Sequence, residues 1–340
     1  MEHNAGKILH NKYRIKKFLG RGAMGNVYLV EYIKDHRQMV IKELVPSPDS
    51  KLTEELCHEI FFRETEFISK FNHPGLPEMY GAFRDDGHDY IVMEYIKGQT
   101  LEEVIKTHPV PQNKAIKWTI ELASILNYLH NAFEQPVVYR DLKPANIIIT
   151  PNNRVRLIDF GISRYYNPDK DTDTFRLGSP GYAAPEQYKG RGQSTPQSDI
   201  FSLGVILYQM LTGYDPTLTP FKFPPARQLK PSINEELEKI IEKAINLDQL
   251  KRYISIIEFK EQLDKYMSSI DIEMPTSKSK KKKKKKKKSV KTEEEKQEKL
   301  RESKKHITCE QIDPSSALLS LLIIILSLFA VLILAVILTE

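Results

Sequence analysis

Cysteine is scarce in this chain. Cys57 and Cys309 are the only two among 340 residues, and they lie far apart without the paired spacing of a metal site. That excludes a disulfide scaffold and fits a reducing compartment. The first 30 residues hold polar and basic groups but no continuous apolar stretch. No secretory leader is expected, and the N-terminal part is expected to stay in the cytoplasm. A basic surface is missing too, although the formal net charge is +6. Residues 278 to 305 hold 16 Lys or Arg against 5 Asp or Glu, which leaves 35 against 40 elsewhere, a formal −5. The main body is therefore no binder of nucleic acid through a basic patch.

What is present starts with length, enough for one large two-lobed domain or two ordinary ones. The densest chemistry runs from Val138 to Gly161, VYRDLKPANIIITPNNRVRLIDFG. Phosphoryl transfer from Mg·ATP needs groups that position the reactants and neutralise phosphate charge. Asp141 can accept the proton of an attacking hydroxyl, Lys143 can reach a γ-phosphate, and Asn146 with Asp159 can offer hard oxygen ligands to Mg2+. Upstream, Leu19, Gly20, Arg21, Gly22, Ala23, Met24, Gly25, Asn26 and Val27 spell G-x-G-x-x-G-x-V. Glycines there let main-chain N–H groups approach phosphates. A Rossmann dinucleotide turn is the rival, with Glu43 near its acidic position, but it needs a helix after the third glycine. Val27 to Tyr32 is β-branched and aromatic instead, which predicts a strand and a hairpin lid.

The order of these motifs resembles the eukaryotic-type protein kinase family, and YRDLKPANI with GSPGYAAPEQY is most similar to its bacterial Ser/Thr branch. The resemblance covers roughly Tyr13 to Met267. It implies an α+β fold of two lobes, a small β-rich N-lobe over about 13–95 and a larger helical C-lobe over about 98–267. It also implies ATP and Mg2+ as cofactors, with Leu19 and Val27 against the adenine and the glycines over the phosphates. Lys42, on the apolar strand Val40 to Lys42, would hold the α- and β-phosphates and pair with Glu64, favoured over Glu66 by its distance from Asn72 to Pro74. Leu52, Leu56, Ile60, Ile68 and Phe71 place that glutamate on a helix. Tyr90 to Tyr95 becomes the hinge, with Met93 beside the adenine and the main chain of Glu94 and Ile96 on its edge. Tyr139 departs from the family's usual His and is expected to pack on Phe160.

Apolar spacing predicts a helix over Asn113 to Asn131. Ile162 to Arg176 has no periodicity and reads as a mobile loop. By the resemblance it is an activation loop in which Thr172 or Thr174 is phosphorylated and meets Arg140. Ser179 and Lys143 imply Ser/Thr specificity. Glu186 with Arg252, and Asp199, are implied as scaffold.

Beyond Met267 the composition changes. Residues 268–316 include nine consecutive lysines, Lys280 to Lys288, and read as a disordered, charged linker. Ala317 to Leu338 is 22 residues without a charge, enough helix for roughly 30 Å of hydrocarbon. The expectation is a tail-anchored Ser/Thr kinase of a bacterial plasma membrane, its kinase domain in the cytoplasm. Expected partners are protein substrates, the lipid bilayer, anionic lipid under the poly-Lys run, and a second copy in a dimer for autophosphorylation.

Overall fold

The computed structural model describes residues 3–22, 25–45, 61–62, 65–66, 68–160, 164–165, 178–188 and 192–273. The chain divides into the units Met1–Pro275 and Thr276–Glu340, and every described residue belongs to the first.

Strands rich in β-branched and aromatic residues build the small lobe. They are β1 (Ile8–Leu9), β2 (Tyr13–Gly22), β3 (Gly25–Tyr32), β4 (Gln38–Leu44), β5 (Met79–Asp85) and β6 (His88–Glu94). They form one antiparallel sheet in the order β1-β2-β3-β4-β6-β5. Alternate residues of β3, β4 and β6, among them Tyr28, Val30, Ile41, Tyr90 and Val92, form a core under this sheet. Between β5 and β6, Asp86 and Gly87 both take positive φ, +49° and +81°, the two-residue turn that an Asp-Gly pair favours.

The large lobe is helical: α1 (Leu101–Thr107), α2 (Gln112–Asn131), α3 (Pro196–Thr212), α4 (Ala226–Leu229), α5 (Glu235–Ala244) and α6 (Ile256–Glu273). Helix α2 supplies the apolar stripe expected of it, with Ile116, Leu122, Ala123 and Leu126 buried. Helix α3 is buried on nearly every side, so Ile200 to Leu207 reads as continuously apolar instead of amphipathic. Thr195 caps it by accepting from the Gln197 N–H, Pro196 opens it, and Gly213 at φ +75° ends it.

Two small sheets seat the loops. In one, β7 (Gln99–Thr100), β9 (Ile147–Ile149) and β10 (Val155–Leu157) pair in the order β10-β9-β7. In the other, β8 (Val137–Val138) pairs antiparallel with β11 (Arg164–Tyr165). Of the loop expected over Ile162 to Arg176, Arg164 and Tyr165 of this strand are described, and the rest lies outside the described residues. Pairing of two residues is a main-chain event and leaves no periodicity to find. Phe71 lies just past the helical residues 68–70, ahead of the Asn72 to Pro74 turn. Helix α6 carries order beyond Met267 to Glu273.

Candidate active site

The site is assembled from the main chain outward. Strand β8 delivers Tyr139 and Arg140, whose N–H groups both donate to the carboxylate of Asp199, at 2.9 Å each. Asp199 is fully buried at the start of α3 and also accepts from His130 Nε2 at 2.8 Å. Three donors offset the burial of one carboxylate. Arg140 holds φ at +74°, a conformation that costs a non-glycine residue roughly 1–3 kcal/mol unless its surroundings impose it. Here they do: its N–H is held by Asp199, and its carbonyl accepts from Gln187 Nε2 at 2.8 Å. The Arg140 guanidinium is buried, and its Nε donates to Ser194 Oγ at 3.2 Å.

This frame presents Asp141, Lys143 and Asn146. Lys143 Nζ lies 2.8 Å from Asp141 Oδ2 and donates to Ser179 Oγ at 2.9 Å, while Ser179 Oγ donates to Asp141 Oδ1 at 2.7 Å. A carboxylate, an ammonium and a hydroxyl thus close a triangle. Asn146, at the end of the 3-10 turn Pro144–Asn146, donates from Nδ2 to the carbonyl of Asp141 at 2.9 Å and to its Oδ2 at 3.2 Å. Its Oδ1 is then the atom that could face a cation.

Asp159 completes the set from the other side. The Ile158 N–H donates to the Asn146 carbonyl at 2.9 Å, so Asn146 is tied by a backbone bond to the residue ahead of Asp159. Asp159 takes φ +67°, which Asp tolerates better than most residues. Its Oδ1 is 3.0 Å from Lys42 Nζ, a bridge from the small lobe to the large one. Hard oxygens of Asp159 and Asn146 suit Mg2+, which is usually bound by one or two carboxylates together with substrate phosphates. Tyr139 packs edge-on against Phe160, with ring centres 5.3 Å apart, and its hydroxyl donates to the carbonyl of Ile158. Burial, followed by the charges of Asp159 and Asp141, raises the Tyr139 pKa far above that of a free phenol, so it stays a donor.

The glycine-rich stretch is a hairpin, with Gly20 paired to Val27 and Gly22 to Gly25, and β3 follows Gly25 where a Rossmann turn would need a helix. Its glycines differ in purpose. A Cβ on Gly25 would stand 1.7 Å from the Glu43 carbonyl oxygen, whereas one on Gly20 meets nothing within 4 Å. Close pairing with β4 therefore demands Gly25 on structural grounds alone. Asn26 also points away from any nucleotide: its side chain is buried and donates to Glu43 at 2.9 Å. Strand alternation puts Asn26 and Val27 on opposite faces, so only the main chain of Asn26 remains a candidate for ATP. Leu19 is exposed and Val27 half-buried. Lys42 pairs in register with Val27 and Ile91 and is 7% exposed. At the hinge, the Glu94 N–H donates to the Glu78 carbonyl at 2.8 Å, which leaves its carbonyl as the group for an adenine edge. The Glu94 carboxylate is held by Arg156 Nη2 at 2.5 Å.

Glu186 and Arg252 form a buried two-pronged pair, at 2.7 and 2.9 Å. Ala23, Met24, Glu64, Thr172 and Thr174 lie outside the described residues. So do the poly-Lys run and Ala317 to Leu338. Among the described residues no helix is long and apolar enough to cross a membrane. Three contributors escape a reading of the sequence. Gln187 supports Arg140, His130 supports Asp199, and Ser194 meets the Arg140 guanidinium. None carries a local signal, because each acts across more than 45 residues of chain.

Comparison with known proteins agrees with this geometry. PrkC of Bacillus subtilis, a serine/threonine-protein kinase, is 34% identical over 261 residues, covering 73% of this chain and 39% of that protein. A probable serine/threonine-protein kinase, PknB of Lactococcus lactis, is 32% identical over 268 residues, covering 74% and 42%. The chain spans about two fifths of the length of these relatives. The crystal structure of the Mycobacterium tuberculosis PknI kinase domain superposes with a TM-score of 0.60 at 24% identity, over 78% of this chain and 99% of that one, which speaks for the fold. The protein kinase domain model matches residues 13–265, and with it the two-lobed chain belongs to the protein kinase family.

Proposed function

We propose that the chain is a Ser/Thr protein kinase that uses Mg·ATP. One observation carries the reading: the Asp141 carboxylate already accepts a serine hydroxyl, that of Ser179, at 2.7 Å, with the Lys143 ammonium on both partners. A substrate hydroxyl needs the same environment, a carboxylate to take its proton and a cation beside the oxygen. Bound between the lobes, ATP with Mg2+ supplies the phosphoryl group and the charge that screens it. Asp159 and Asn146 offer their oxygens to the cation, Lys42 and Lys143 lie against phosphates, and Asp141 orients the acceptor. The glycine-rich turn between Leu19 and Val27 covers the phosphates through main-chain N–H groups, Leu19 and Val27 lie against the adenine, and the main chain of Glu94 and Ile96 meets its edge. Glu64 is proposed as the second carboxylate for Lys42. Thr172 or Thr174 is proposed as the site where a second copy phosphorylates the chain.

The test is transfer of labelled phosphate from ATP by the full-length chain, onto itself and onto a generic basic protein, beside Asp141→Asn. Loss of a general base lowers transfer by about 10²–10⁴-fold. Label on Ser or Thr that the variant loses supports the reading. Equal labelling by the variant overturns it.

With α6 running to Glu273, residues 274–316 are proposed as a charged tether and 317–338 as a membrane helix, which puts the kinase domain on the cytoplasmic face of a bacterial plasma membrane. The 22 uncharged residues support this, as do the lysines preceding them. On anionic lipid those lysines contribute about 1 kcal/mol each near the surface. Full-length chain released from membranes by an alkaline carbonate wash would count against the helix.

A further inference from the structure

A groove of about 690 Å³ opens beside the segment that leaves the hinge. It arises because α1 stops at Thr107 and the chain passes through Pro109 and Pro111, which no helix continues across, before α2 begins. The turn after β9, from Thr150 to Asn153, closes the far side. None of Lys42, Asp141, Lys143, Asn146 and Asp159 lines it.

Its chemistry is one-sided. Lys97, His108 and Lys114 are all of its ionisable lining residues, and no carboxylate is among them. Both lysines are exposed, and among the described residues neither is paired with a carboxylate. Lys114 Nζ stands 4.8 Å from the centre of the Trp118 ring, which is itself buried, so the cation is seated over an aromatic ring at the base of the groove. Prolines and Val110 form the walls.

We infer that this groove docks an acidic peptide segment of a protein partner, its carboxylates meeting Lys97 and Lys114 and its apolar side chains lying against the exposed Pro109, Pro111 and Pro151. The argument is charge complementarity spread along the groove. The two lysines belong to different parts of the chain, the hinge exit and α2, with apolar surface between them. A small anion engages one such cation. An extended segment with alternating carboxylate and apolar side chains engages both and covers the prolines of the walls.

Trp118 is the single tryptophan of the chain and lies against the Lys114 ammonium, so its fluorescence reports on what engages that cation. The probe is a capped peptide of alternating Glu and Leu, titrated into the full-length chain beside its Gln counterpart and free glutarate. The expected result is a saturable change with the Glu peptide only, weakened at least about tenfold in Lys97→Glu/Lys114→Glu. Both positions are exposed, and unchanged circular dichroism of the variant shows that the fold is kept. No saturable change, an equal response in the double variant, or equal binding of the Gln peptide overturns the proposal. Glutarate matching the peptide at equal concentration also overturns it and leaves a small-anion site. Each readout is a binding one and does not depend on phosphate transfer.

Discussion

The hydroxyl of Tyr139 donates to the carbonyl of Ile158, so the residue ahead of the Arg140–Asp141 pair holds the residue ahead of Asp159. Tyr139→Phe keeps the ring on Phe160 and removes the hydroxyl, with its bond to the Ile158 carbonyl and its hydrogen-bonding contact to the Asn146 side chain. A buried carbonyl that loses its donor costs about 1–3 kcal/mol. The variant is expected to fold, to unfold at a lower denaturant midpoint, and to need more Mg2+ for half-maximal transfer because the Asp159 backbone is freed. Equal Mg2+ dependence in the two proteins would restrict Tyr139 to packing.

The glycines of the β2–β3 hairpin separate folding from nucleotide binding. Gly25→Ala forces a Cβ to within 1.7 Å of the Glu43 carbonyl and must push β3 from β4, a main-chain displacement with a cost of several kcal/mol. Gly20→Ala has open space and is expected to unfold as the wild type does. Thermal unfolding of both, with ATP titration of Gly20→Ala, checks this. A stable Gly25→Ala would mean that the β3–β4 pairing yields there.

Much of this was readable from residues because the chemistry is local. Asp141, Lys143 and Asn146 fall within six residues, and one loop presents them. Helix α2 was found from its apolar period, and α3 was visible as an apolar run. Asp199 was implied by the resemblance and does hold the Arg140 N–H, whereas Gln187 and Ser194 were not readable, since they reach Arg140 from separate segments. Asn26 shows what a motif read as a block leaves out: strand alternation turns its side chain to Glu43, so its main chain is what stays available to a nucleotide.

His73 gives the stability a pH dependence. Its Nδ1 accepts from the Gly75 N–H at 3.0 Å, which only a ring lacking a proton on that nitrogen can do. Burial first, and then the charge of Arg156, lowers its pKa from 6.5. A depressed folded-state pKa means that the unfolded chain takes the proton first. The contribution is therefore complete above pH 6.5 and is lost as pH falls from there through the folded value. His73→Asn keeps an acceptor for the Gly75 N–H and does not titrate. Its melting temperature is expected to fall less than that of the wild type between pH 7 and pH 5. Parallel curves would assign the acid sensitivity to other groups.

Ser179 closes the triangle with Asp141 and Lys143, donating to one at 2.7 Å and accepting from the other at 2.9 Å. Removing its hydroxyl leaves the Lys143 ammonium with Asp141 alone, 2.8 Å away, and takes away the group that holds the two in place beside an acceptor oxygen. Ser179→Ala should therefore lower kcat for protein phosphorylation by roughly tenfold or more. The KM for ATP should hold, because no nucleotide group is removed. Ser179→Thr keeps the hydroxyl and is expected to restore transfer. A variant that loses ATP affinity and kcat together would place Ser179 in nucleotide binding, and an inactive Thr variant would show that space, not the hydroxyl, is what the position requires.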